Sequence, residues 1–122
     1  MAKYQVIFFE TESGDLPARD FLDSLDTKML ANMSRTISML QENGLALREP
    51  YSKSLDDGIF ELRAQAGSNI TRVLYFLYIG RRVVLTNGFI KKTQKTPESE
   101  IYKAKAFRKE YLVKEVEQNE NV

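Results

Sequence analysis

Seven residues carry the chemical possibilities of this chain: Lys53, Glu61, Arg63, Arg72, Lys91, Lys92 and Lys95. Arginine offers a planar fork of donors that matches a phosphate in two contacts, and lysine supplies a compact charge. The chain has no His and no Cys. It therefore lacks the commonest general base, the commonest metal ligand and any thiolate nucleophile. Catalysis would have to run on Lys, Arg, Tyr, carboxylates or hydroxyls. Two readings of Arg63 and Arg72 stand side by side. With Glu61 between them they form an ion pair that steadies a sheet, worth roughly 0–1 kcal/mol if exposed. With an anion between them they form a phosphate clamp.

Charge distribution favours looking further at the second. Net charge is +1, but residues 1–52 hold 5 basic and 8 acidic side chains, and residues 96–122 hold 5 and 6. Residues 53–95 hold 8 basic and only 3 acidic side chains. A local basic segment in a near-neutral chain is the footprint of an anionic partner.

The elements that must position these residues follow from periodicity. KYQVIFFE (3–10) reads as a strand. Pro17 suits a first helical turn, and Phe21, Leu22 and Leu25 share one face of a helix over about 17–26. Asp26 can cap a second helix, with Met29, Leu30, Met33, Ile37 and Leu40 as its apolar stripe and Asn43-Gly44 as its stop. The two make an αα-hairpin. LALREPYSKSLDDG is a loop, with Asp57-Gly58 a turn. Residues 59–65, 70–79 and 81–91 are strands joined by short turns, which predicts an antiparallel meander. Thr96-Pro97 opens a last helix with Ile101, Ala104, Phe107 and Tyr111 as its stripe. The polar tail, about 114–122, should fray. The expected fold is a single α+β domain over 1–122, in the order β-α-α-β-β-β-α.

Alternation assigns the faces. Phe60 and Leu62 point one way and Glu61 and Arg63 the other. Val73, Tyr75 and Leu77 oppose Arg72, Leu74, Phe76 and Tyr78. Central strands that are apolar on both sides need cover on both sides. The αα-hairpin supplies one cover, and the last helix or a partner supplies part of the other. The remainder is expected to be an open concavity bearing Glu61, Arg63 and Arg72. The pleat sends Lys91 and Lys92 to opposite faces, so one of them reaches that concavity unless a bulge intervenes.

The runs KSLDDGIFELR (53–63), ITRVLY (70–75) and VLTNGFIKKTQKTPESEIYKA (84–104), in that order, resemble the RelE/HigB-type toxins of bacterial toxin–antitoxin systems, in their phage-derived branch. The resemblance spans about residues 3–110 and includes the order of elements. It implies a RelE-like fold and a ribosome-dependent endoribonuclease that cuts mRNA, with neither cofactor nor metal. Arg63 then matches the phosphate-binding arginine, and Arg72, Lys53 and either Lys91 or Lys92 match further basic positions. Tyr102 falls where some members stack an aromatic on the substrate. Lys95, Arg81 and Arg82 are counted with it as RNA contacts.

Cleavage by the RNA's own 2′-hydroxyl needs a base, a stabilised pentavalent phosphorus and a protonated leaving oxygen. Arg63 and Arg72 suit the charge stabilisation. A lysine crowded by other cations is favoured in its neutral form, which makes Lys53, Lys91 and Lys92 candidate bases. Glu61 is a rival, but beside Arg63 it is better suited to orient than to accept a proton. The implied partners are a HigA-like helix-turn-helix antitoxin, the ribosome and mRNA, with DNA reached only through the antitoxin. A ParE-like gyrase inhibitor and a non-catalytic binding module would carry similar residues. No stretch approaches the ~18 apolar residues of a membrane span, and no signal peptide is apparent, so the expected location is cytoplasmic.

Overall fold

A computed structural model describes residues 3–91 and 95–120. Strand β1 (Gln5–Phe8) leads into helix α1 (Pro17–Asp23) and helix α2 (Thr27–Asn43). Pro17 occupies the first turn of α1, where its missing N–H costs nothing. Asp26 caps α2 by accepting from the Met29 N–H at 2.8 Å. Met29, Met33, Thr36 and Leu40 form the buried face of α2, and Gly44, at φ +52°, ends it. A single 3₁₀ turn (Gly44–Ala46) and a loop then reach strand β2 (Ser52–Asp56). Strands β3 (Ile59–Ala66), β4 (Asn69–Tyr78) and β5 (Arg82–Lys91) follow, and helix α3 (Glu98–Glu120) closes the chain.

The five strands form one sheet in the order β1-β5-β4-β3-β2. β1 runs parallel to β5, and every other pair is antiparallel. The expected α+β meander is present, with one strand more than predicted. The segment read as a loop contains β2, which pairs with β3 through Ser52↔Leu62 and Lys53↔Glu61. Asp57 and Gly58 join these strands with φ of +50° and +79°. A two-residue hairpin that follows the twist of its strands needs both central residues left-handed.

The helical hairpin covers one face of the sheet. There Leu22, Met33 and Leu40 pack on Leu62, Val73, Tyr75 and Leu85. Helix α3 covers the other face, where Ala104 and Tyr111 pack with Ile59, Leu74, Phe76 and Val84. Phe107 stacks on Phe9 at 4.8 Å between ring centroids, and Tyr111 meets Phe76 and Tyr78 edge-on. Polar contacts fix the pose of α3. Lys105 Nζ lies 2.6 Å from an Asp56 carboxylate oxygen, and Arg108 Nη2 lies 2.8 Å from Asp57. The hydrogen bond from Lys105 holds the Asp56 carboxyl below its ordinary range. Helix α3 runs on through the segment expected to fray, and Arg82 bridges to Glu115 there at 3.0 Å.

One irregularity in β5 resets the faces. Leu74 pairs with Asn87 but Tyr75 pairs with Leu85, so Thr86 is an extra residue on its strand. The Thr86 hydroxyl donates to the Leu74 carbonyl at 3.1 Å, satisfying a group the bulge would otherwise orphan.

Candidate functional site

Arg63 and Arg72 are direct partners across β3 and β4. Two guanidiniums in that position repel unless an anion lies between them, and Glu61 supplies it. One Glu61 oxygen accepts from Arg63 Nε and lies 3.7 Å from Arg72 Nε. Its other oxygen accepts from the Thr96 hydroxyl. Both oxygens are therefore engaged, and the carboxylate acts as a brace for Arg63. Burial pushes the Arg72 guanidinium pKa down, Glu61 opposes that shift, and Arg63 adds to it.

The expected open concavity bearing all three residues is corrected here. Glu61 and Arg72 are fully buried. Thr96, itself buried just ahead of α3, reaches Glu61, while Phe89 stands beside Arg72 on β5. Arg63 alone of the three keeps an outlet, with 18% of its side chain exposed. Arg72 and Glu61 thus hold Arg63 in place from beneath. Two guanidiniums against one carboxylate leave the trio one positive charge in excess. The exposed Glu49, 3.8 Å from Arg63 Nη1, is a weak competitor in solvent.

Lysines gather above Arg63. Lys53 is the cross-strand partner of Glu61, which puts it on the same sheet face. Lys53, Arg63, Lys95, Thr96 and Ile101 line a hollow of about 330 Å³. Tyr102, 76% exposed on α3, borders a neighbouring groove that shares Lys95 and Thr96 with this hollow. A partly exposed arginine braced by a buried carboxylate and flanked by lysines can bind an anion and stabilise charge that develops on it.

Other predicted residues lie elsewhere. Arg82 donates to Tyr111 and Glu115 and sits over the Tyr78 ring. It pairs with Tyr78, six residues along β4 from Arg72, or roughly 20 Å at the usual rise per strand residue. Arg81 is exposed in the adjoining turn. These two arginines belong to the far end of the sheet. Lys92 lies outside the described residues, as does the side chain of Lys91. The backbone of Lys91 closes β5 opposite Ile70. Because of the bulge, position 91 falls in step with Asn87 and Phe89, the partners of Leu74 and Arg72.

The bond from the Thr96 hydroxyl to Glu61 is the part of the site that sequence reasoning missed. A Thr before a Pro reads as a helix start, and nothing local says that its hydroxyl is spent on a carboxylate 35 residues away.

A family model described as phage-derived protein Gp49-like (DUF891) matches residues 20–109, from α1 into α3, and so takes in the whole basic hollow. A search of curated proteins finds no match.

Proposed function

Since this chain belongs to the Gp49-like family of phage-derived proteins, a family of RelE-like toxins, we propose that it is the toxin of a toxin–antitoxin pair and acts as a ribosome-dependent mRNA endoribonuclease. The observation that carries the reading is Arg63: held by a buried carboxylate and opening between Lys53 and Lys95.

In the proposed reaction the 2′-oxygen of one nucleotide attacks the adjacent phosphorus. The 2′-O–P bond forms, the P–O5′ bond breaks, and the products are a 2′,3′-cyclic phosphate and a 5′-hydroxyl. Arg63 bonds the non-bridging oxygens as charge builds on them. Arg72 acts through Glu61, as a positioning residue. The attacking hydroxyl loses its proton to a lysine, with Lys53, Lys91 and Lys92 as the candidates, and the leaving oxygen gains one. A site without an optimised base is slow when its substrate is loosely held. A ribosome that holds the mRNA in an attack-ready shape supplies the missing orientation.

An antitoxin partner accompanies a toxin of this kind, and a helix-turn-helix protein that keeps mRNA from the Arg63 hollow is the form proposed here. The test is expression of the chain with translating ribosomes, followed by mapping of new mRNA 5′ ends. New 5′-hydroxyl ends that Arg63→Ala abolishes support the reading. Toxicity that persists in Arg63→Ala without new ends would move the target to gyrase or to simple binding.

A further inference from the structure

Arg63 borders two hollows. Strand β2 begins at Ser52, the partner of Leu62, so beyond that point the outer edge of β3 has no partner strand among the described residues. Side chains of α2 cap it instead. The Thr36 hydroxyl donates to the Arg63 carbonyl at 3.2 Å, and Asn32 Nδ2 donates to the Gln65 carbonyl at 3.0 Å. Between this edge and the loop before β2 lies a hollow of about 490 Å³, within the usual range for a small-molecule site. Tyr51 and Arg35 form its walls, Met39 and Ile70 give it apolar surface, and Asn32 and Gln65 line its rim. Tyr51 is 43% exposed, and its backbone is fixed by the Arg63 N–H, which donates to the Tyr51 carbonyl at 2.9 Å.

We infer that this second hollow, between α2 and the free edge of β3, is a nucleotide subsite that takes the residue of single-stranded RNA next to the phosphate seated on Arg63. The inference rests on the phosphate-site reading above and extends it. A phosphodiester carries a nucleoside on each side. A phosphate on Arg63 therefore needs room in two directions, and Arg63 lines two hollows. One is lined by Lys53 and Lys95. The other offers an aromatic face for a base to stack on and a guanidinium for the next phosphate or the base edge. Arg35 is steadied for that task by Asn32, whose Oδ1 accepts from Arg35 Nη1 at 3.4 Å, leaving further donors on the fork. Among the described lining residues there is no carboxylate; the nearest one named is the exposed Glu49, 3.8 Å from Arg63 Nη1, a weak competitor in solvent.

The experiment is single-turnover cleavage of mRNA on programmed ribosomes, with wild type, Tyr51→Ala, Tyr51→Phe, Arg35→Ala and Arg63→Ala compared. Loss of one base-stacking ring should raise the half-saturating concentration of Tyr51→Ala by about 10-fold. It should also flatten the nucleotide preference on one side of the cut. Tyr51→Phe keeps the ring and should recover most of that loss. Arg35→Ala should shift half-saturation in the same direction. Arg35 is exposed, so this variant carries the test if Tyr51→Ala melts early. Wild-type half-saturation and preference in Tyr51→Ala and Arg35→Ala, beside an inactive Arg63→Ala, would overturn the subsite and leave the phosphate site standing. Wild-type cleavage by Arg63→Ala, or no cleavage by the wild type, would overturn the phosphate-site reading and the subsite with it.

Discussion

Glu61→Gln removes one negative charge and almost no volume from the centre of the site. The variant leaves Arg63 and Arg72 facing each other across two strands, with Arg72 fully buried and the Glu61 charge beside them gone. Taking one partner from a buried pair costs about 3–5 kcal/mol, because the remaining charge stays desolvated. Arg63 keeps some solvent contact, which favours the lower end, about 3 kcal/mol. For a domain of this size that corresponds to a fall in Tm of roughly 12 °C. Replacing both buried partners, in Glu61→Gln with Arg72→Met, should cost less than the sum of the two single changes, since Arg72 is then no longer a buried charge that has lost Glu61. Urea and thermal melts of the four proteins complete the cycle. Inorganic phosphate should also stabilise Glu61→Gln more than the wild type, because an anion at Arg63 would replace the lost carboxylate. A Glu61→Gln protein that melts within ~1 kcal/mol of wild type, or a double variant whose cost is simply additive, would refute the argument that this carboxylate holds the two arginines together.

Three further outcomes are expected. Arg63→Ala should slow cleavage by about 100- to 1000-fold, the loss of one donor to a developing charge, while its melt stays near wild type because Arg72 and Thr96 still engage Glu61; Arg63→Lys should recover only part, since the fork is gone. Gly88→Ala should destabilise by about 1–3 kcal/mol, because a Cβ there collides with the Phe21 ring and forces α1 off β5; a thermal melt reads it, and an unchanged Tm would show that Phe21 moves freely. Tyr75 is buried, which raises its pKa above the ordinary value, partly offset by its hydrogen bond with Ser52 at 2.7 Å. The unfolded chain then loses this proton first, so stability should fall as pH climbs past about 10, and Tyr75→Phe should flatten that fall in urea midpoints across the alkaline range; equal slopes in the two proteins would refute the assignment.

Much of the fold was legible because it is written in local periodicity. The three meander strands end within a residue or so of their predicted limits. The opposition of Phe60 and Leu62 to Glu61 and Arg63 follows from the pleat alone. Asp26 and Gly44 bound α2 by capping chemistry that acts over one turn. What was hidden depends on distant partners. SKSLD has no β-branched residue and little apolar character, and it becomes a strand because β3 offers an edge to pair with. The parallel pairing of β1 with β5 joins segments some 75 residues apart, and nothing local announces it. The burial of Glu61 and Arg72 was misread for the same reason. A charged residue on the less apolar face of a strand looks solvent-facing until the chain from Thr96 into α3 is laid across it.

Thr86 works like a one-letter insertion in a reading frame. Upstream of it, Val83 and Leu85 belong to the layer under the helical hairpin and Val84 to the layer under α3; downstream, odd-numbered Asn87 and Phe89 take the α3 side. That the backbone at position 91 stands in step with Arg72 is thus decided several residues earlier, by a residue that carries no charge. Deleting Thr86 would remove no charged side chain and yet turn the backbone at position 91 out of step with Arg72, while pressing Asn87 toward the wrong layer. Among relatives, a single-residue gap or insertion in this stretch would move the cationic position along the sequence by one, so aligned lysines need not be equivalent lysines.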